Sequence, residues 1–227
     1  MEKNCQELKN VSLFKSPRET TVAYGIIEKT EYPWQIIPLI KEFILELGKS
    51  LPKDVYELRG ENVWIAKDAK ISPTASITGP TIICEGAEIR QCAFIRGSAI
   101  VGRRAVVGNS TELKNCILFD GVQVPHFNYV GDSVLGAYSH MGAGAVTSNV
   151  KSDKTPVSVR LNGEKIDTGL KKFGAALGDR VEVGCNSVLN PGTVIGRESN
   201  VYPLSSVRGF IPEESIFKSR SNVVKKA

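Results

Sequence analysis

Aliphatic residues stand at every sixth position from Ile65 to Leu113 without a miss: Ile65, Ile71, Ile77, Ile83, Ile89, Ile95, Val101, Val107 and Leu113. Four positions after each comes a second register: Ala69, Ala75, Thr81, Ala87, Ala93, Ala99, Ala105, Thr111 and Ile117, small in every case but the last. An amphipathic helix repeats at 3.6 and a half-buried strand at two, so neither produces a strict period of six. Hexapeptides of this kind predict a parallel β-helix in which each flat face is one short strand and three faces close one coil. The aliphatic residue points inward and stacks on its equivalents. The small residue occupies the tight corner. The expected fold class is therefore all-β, a left-handed parallel β-helix of hexapeptide repeats.

The rhythm then shifts. Leu118, Val124 and Val130 keep the six-residue step in a new frame, a five-residue step leads to Leu135 and Met141, and Leu177, Val183, Leu189, Ile195, Val201 and Val207 resume it. Residues 147–174 interrupt the repeat. Within them Pro156–Leu161 and Glu164–Thr168 flank Asn162-Gly163. Asn-Gly between two strand-like runs is a strong hairpin signal, because both turn positions need positive φ. A hairpin extruded from one corner is expected, and loops carried on a rigid scaffold commonly carry function.

Residues 1–60 do not repeat. Trp34, Ile37, Ile40, Ile44, Leu47 and Leu51 recur at three or four and predict an amphipathic helix of about three turns. Its expected role is to cap the open N-terminal end of the β-helix, since stacked repeats need such caps. Thr21, Val22, Tyr24 and Ile26 suggest a strand within 17–32. The expected organisation is an N-terminal helical cap over 1–60, the β-helix over 61–210 with an insertion hairpin at 150–174, and a basic tail over 211–227.

Composition changes this picture little. The chain has 227 residues, 41% hydrophobic, with no apolar run of membrane-spanning length and a charged start, MEKNCQELKN, unlike a secretory signal. Cys5, Cys84, Cys92, Cys116 and Cys185 are odd in number and lack CxxC spacing, which fits a reducing, cytoplasmic setting. The net charge of +5 is mild and the basic tail (Lys218, Arg220, Lys225, Lys226) has no interleaved aromatics, so neither nucleic acid nor membrane is an expected partner. Small anionic ligands would gain from the same charge.

The chain has two histidines, His126 and His140. His126, in Val124-Pro-His-Phe-Asn-Tyr-Val-Gly-Asp132, stands on a face rather than in an apolar slot, with Arg96, Lys114, Tyr129 and Lys172 on nearby coils or on the insertion. A structural histidine is the ordinary reading of such a residue. The polar neighbours favour a cationic pocket around one imidazole.

At this point the residues resemble a family. From Phe94 to Arg220 the chain resembles the acetyltransferase domain of the bifunctional glucosamine-1-phosphate acetyltransferase/N-acetylglucosamine-1-phosphate uridyltransferase, more closely its archaeal sugar-1-phosphate nucleotidyltransferase/acetyltransferase branch. The carrying segments are Val107-Gly-Asn-Ser-Thr-Glu-Leu-Lys-Asn115, the His126 segment, Gly142-Ala-Gly144 and Gly169-Leu-Lys-Lys-Phe-Gly-Ala175. The resemblance implies acetyl-CoA as acyl donor, a homotrimer with sites between chains, and these roles: His126 is the general base for the sugar amine. Tyr129 and Arg96 meet the sugar phosphate, although the proline usual after that arginine is absent. Lys114, Asn149 and Lys172 lie near the substrate, Ala143 and Gly144 lie along the coenzyme, and Arg220 meets a coenzyme phosphate. His140 stands where the bacterial family has an asparagine that orients the amine, which puts the acceptor in question. The turn amides around Gly142–Gly144 are expected to supply one donor to the oxyanion. Nothing in 1–60 resembles the Gly-rich loop of the uridyltransferase half.

The expected activity is thus acetyl transfer to an amino-sugar 1-phosphate such as glucosamine-1-phosphate. Rival readings are an acyltransferase for another amino sugar or nucleotide sugar, and a non-catalytic assembly partner of a separate nucleotidyltransferase. A zinc enzyme on this scaffold needs three histidines, more than this chain has. No metal is expected.

Overall fold

The computed structural model describes residues 5–226; the first four residues of the segment read for a secretory signal lie outside it. The chain forms the expected parallel β-helix. Its first face stacks Ile65, Ile83, Val101, Leu118, Leu135, Leu177, Ile195 and Ile211 in parallel register. The second face stacks Ile71, Ile89, Val107, Val124, Met141, Val183, Val201 and Phe217. The third stacks Ile77, Ile95, Leu113, Val130, Thr147, Leu189 and Val207. All but Thr147, Ile211 and Phe217 are inward residues read from the period of six, and the stack is the core.

Every departure from six falls at one corner, where the third face turns into the first. The five-residue steps Leu113 to Leu118 and Val130 to Leu135 lie there, within the long strands Glu112–Leu118 and Tyr129–Leu135. Asn115 (φ 50°) and Asp132 (φ 47°) make those turns in the left-handed region. The insertion between Thr147 and Leu177 leaves from the same corner. Its strands Ser158–Leu161 and Glu164–Asp167 pair antiparallel around Asn162 (φ 50°) and Gly163 (φ 83°), the expected hairpin.

The N-terminal segment does not plug the open end, as the sequence suggested; it clamps the flank. The helix Ile40–Ser50 packs on the first-face strands Thr81–Ile83, Ala99–Val101 and Glu112–Leu118. Further along, Phe14 meets Phe119 at 4.8 Å between ring centroids, and Trp34 meets Phe173 at 6.2 Å. Arg197 Nε donates to the Ser12 carbonyl at 2.9 Å. Ile82, Ile100, Ile117, Val134, Ala176 and Val194 point outward from the first face, yet all are fully buried. A sheet covered on both sides takes apolar residues in both registers, and that is the reason for the arm. The two ends are closed instead by antiparallel strands, Tyr56–Leu58 on Val63–Ala66 and Asn222–Lys225 on Ser215–Ser219, which occupy edges that would otherwise invite pairing.

Two further expectations are corrected. Residues 17–32 hold the helices Pro17–Thr20 and Tyr24–Glu28 rather than a strand; Pro17 at the first helical position is pre-set for that conformation. The tail does not leave the β-helix: Ile211 and Phe217 fill inward slots.

Candidate functional site

The third face and its corners carry the predicted polar residues. Tyr129 opens the strand Tyr129–Leu135 and points outward, because Val130 takes the inward slot. Its ring lies over Gly131: a Cβ at Gly131 would fall 2.4 Å from the hydroxyl oxygen. The hydroxyl thereby reaches the corner, where it accepts from Asn149 Nδ2 at 3.3 Å. Burial, with Asp132 and Glu112 nearby, raises the Tyr129 phenol above its ordinary value, so it keeps its proton.

Behind Tyr129 sits Asp132, which the sequence reading did not single out. Its buried carboxyl accepts from Asn115 Nδ2 at 2.8 Å, from Lys114 Nζ at 3.4 Å and from Asn149 Nδ2. One carboxylate thus holds Lys114 and Asn149 beside the phenol. Its signal in the sequence is its place at the corner of the His126 segment, two residues past the inward Val130.

Arg96 lies on the outer side of the same face. Its Nη1 donates to Glu112 Oε1 at 2.6 Å, and that partner raises the guanidinium further. Lys172 is exposed on the insertion, next to Phe173, whose amide donates to the Asn149 carbonyl at 3.1 Å. The structure therefore brings together Lys114, Tyr129 and Asn149, with Arg96 and Lys172 at the margins.

His126 lies at the opposite end of that face, on the corner between the second and third faces. It ends the strand Gln123–His126, and Phe127 turns the corner with φ 52°. The His126 ring is exposed and takes no hydrogen bond or ion pair among the described residues. On the coil above, Gly144 N–H donates to the His126 carbonyl at 3.0 Å, so Ala143 and Gly144 stack on the histidine.

The oxyanion expectation narrows to one amide. Gly142 N–H is held by the Val183 carbonyl at 2.7 Å and Gly144 N–H by His126, both as rungs of the coil. Ala143 N–H alone in that run has no acceptor among the described residues.

His140 does not join either group. It faces outward on the second face, where its Nδ1 is 2.8 Å from Glu182 Oε2 on the next coil. Arg220 is exposed at the turn between Ser215–Ser219 and Asn222–Lys225. That turn lies four coils beyond His126, roughly 19 Å at the usual strand spacing. The eight predicted polar residues and the Ala143–Gly144 run thus divide between two corners and two faces of one chain. A ligand touching His126 and Arg220 on one chain would have to be extended.

No helix among the described residues is long and apolar enough to cross a membrane. Relatives share the β-helical part and more. The chain is 30% identical to the bifunctional protein GlmU of Methanococcus vannielii over 89% of its own length and 55% of that protein's. It is 32% identical to the bifunctional sugar-1-phosphate nucleotidylyltransferase/acetyltransferase of Sulfurisphaera tokodaii over 82% of its length and 47% of that protein's. The chain therefore spans about half the length of the curated relatives it matches. Among solved structures, the acetyltransferase domain of PglB from Neisseria gonorrhoeae, in complex with acetyl coenzyme A, aligns with TM-score 0.34 and 16% identity over 72% of this chain and 57% of that one, too loosely to transfer a site. The model described as the GMPPB C-terminal domain matches residues 77–209, more than half of the chain, and the chain belongs to that family.

Proposed function

We propose that this chain is an acetyltransferase domain that moves the acetyl group of acetyl-CoA to the amine of an amino-sugar 1-phosphate such as glucosamine-1-phosphate, with His126 as general base. The observation that carries the reading is a donor cluster, Lys114, Asn149 and the Tyr129 hydroxyl, at one corner of a face whose other corner holds an unpartnered, exposed imidazole. Asn149 donates to the phenol oxygen, so the phenol proton is free for a phosphate oxygen. Lys114 adds a point charge and Arg96 a fork. Support also comes from the relatives, two of which carry names that join sugar-1-phosphate nucleotidyl transfer to acetyl transfer or describe a bifunctional GlmU.

The chemistry is ordinary acyl transfer. An ammonium cannot attack a thioester, so the amine must lose a proton, and imidazole is suited to take it near neutral pH. The nitrogen bonds to the carbonyl carbon, the carbon–sulfur bond breaks, and the proton held on His126 goes to the sulfur. Ala143 N–H, which has no acceptor among the described residues, would donate to the oxyanion. The separation of His126 from the cluster along one chain supports a site shared between subunits, and the proposed assembly is a cyclic homotrimer with His126 and Arg220 serving the shared sites.

The test is turnover. His126→Ala should abolish most acetyl transfer from acetyl-CoA to glucosamine-1-phosphate while keeping the circular dichroism and melting temperature of the parent. Full activity in that variant overturns the assignment. A monomer in light scattering at micromolar concentration overturns the trimer. A second reading, an assembly domain for a separate nucleotidyltransferase, is favoured by the bonded amides of Gly142 and Gly144, which leave a single N–H for an oxyanion. Absence of acetyl-CoA binding would decide for it.

A further inference from the structure

The insertion hairpin is seated on the coils by two glycines. A Cβ at Gly192 would fall 2.5 Å from the Ser158 carbonyl oxygen, and one at Gly209 would fall 2.8 Å from that of Arg160. Both glycines have positive φ, 82° and 83°. Val157 and Val159 are fully buried beneath the hairpin, so its other face is fixed toward solvent. That face carries Arg160 directly opposite Lys165 across the two strands. The seat on Gly209 brings both beside Arg208. Like charges directly opposite in a hairpin destabilise it. Neither Arg160 nor Lys165 has a side-chain partner among the described residues.

Arg208 is aimed rather than free. Asn190 Nδ2 is bound to the Val207 carbonyl at 2.8 Å and to Ser206 Oγ at 3.0 Å, which turns Asn190 Oδ1 toward Arg208 Nη2 at 3.2 Å. Between the hairpin and this corner lies a cavity of about 420 Å³ lined by Lys151, Arg160, Lys165, Asn190 and Arg208. Asp153 is the one acid in its lining. It is already engaged by Lys151 at 3.4 Å and by the Thr155 amide at 3.0 Å.

We infer that this groove is a phosphate-binding site for a diphosphate-bearing ligand, separate from the Lys114–Tyr129–Asn149 cluster. Two guanidinium forks and an ammonium, held close by backbone packing and none of them ion-paired among the described residues, match the several oxygens of a diphosphate. The diphosphate can belong to the acyl-donor coenzyme or to a sugar nucleotide. The inference stands on this groove and does not require acetyl transfer.

Calorimetric titration of the full chain with inorganic pyrophosphate at low salt tests it. One pyrophosphate should bind per chain, weakened tenfold or more by Arg160→Ala and by Arg208→Ala, and unchanged by Lys49→Ala on the distant helix. Arg160 and Lys165 are exposed, so Lys165→Ala provides a second variant whose folding is not at risk. No binding, or equal loss in Lys49→Ala, overturns the proposal. Displacement of pyrophosphate by coenzyme A, or by a nucleoside diphosphate sugar, identifies which source carries the group. Because binding is read without turnover, an inactive protein that still binds pyrophosphate separates this site from the acetyl-transfer reading.

Discussion

The ring of Tyr129 lies across the backbone of Gly131, and the hydroxyl reaches Asn149 only because Gly131 has no side chain. Gly131 is not in the left-handed region, so alanine there is compatible with the backbone; only the phenol must move. Gly131→Ala should leave the melting temperature within a few degrees of the parent and raise KM for the sugar phosphate about tenfold, with kcat changed less. An unchanged KM would remove Tyr129 from the phosphate site.

Asp132 should act through the residues it holds. In Asp132→Asn the amide nitrogen would face the amide donor of either Asn115 or Asn149, which bind different oxygens of Asp132, and Lys114 would lose its carboxylate. Leaving a buried donor unmatched costs about 1–3 kcal/mol. The expected outcome is a lowered melting temperature together with a raised KM. Lys114→Met in the Asp132→Asn background should add less to KM than it does alone, because the two changes remove one contact. Full additivity would mean that Asp132 does not position Lys114.

The three faces put the same hexapeptide position into different surroundings. The residue before each inward one is buried under the N-terminal arm on the first face, as at Ile100, and exposed on the third, as at Phe94. Ile100→Asp should therefore prevent folding or cost several kcal/mol, since an unpaired charge would be buried. Phe94→Asp should be tolerated within about 1 kcal/mol by denaturant unfolding. Equal tolerance at both positions would mean that the arm does not cover the first face.

This difference marks how far the sequence could be read. Most inward residues were legible because they are aliphatic at a fixed step, Thr147 and Phe217 being the exceptions, and the hairpin was legible from Asn162-Gly163. The outward stripe Ile82, Ile100, Ile117, Val134, Ala176 and Val194 was written there too, at the period of one coil rather than of one hexapeptide. Counting only by six hides it. The arm that covers the stripe was not legible, because its contacts, such as Lys15 N–H to Asp179 at 2.8 Å, join residues 164 apart with no repeat to announce them. Frame decides the site in the same way. His126 follows its inward valine by two and falls on a corner, whereas His140 precedes Met141 and falls on a flat face against Glu182.

The thiols give a prediction that tests the packing directly. Cys92 and Cys185 are exposed, while Cys5, Cys84 and Cys116 are buried. A thiol reagent should label two cysteines quickly in the native protein and all five after denaturation. Burial pushes the Cys84 and Cys116 thiols up to about 12 from an ordinary value of 9.0. In the unfolded chain they ionise first. Between pH 9 and 12 the folded state thus holds more protons than the unfolded state, and stability falls as pH rises. It is fully present below pH 9 and is lost through pH 12, by ~4 kcal/mol per thiol at most. Cys116→Ala should make that alkaline slope shallower by one proton in urea unfolding measured across the window. A slope identical to the parent's would mean that the Cys116 thiol is open to solvent, and that the stack between Ala99 and Ser133 is looser than the register requires.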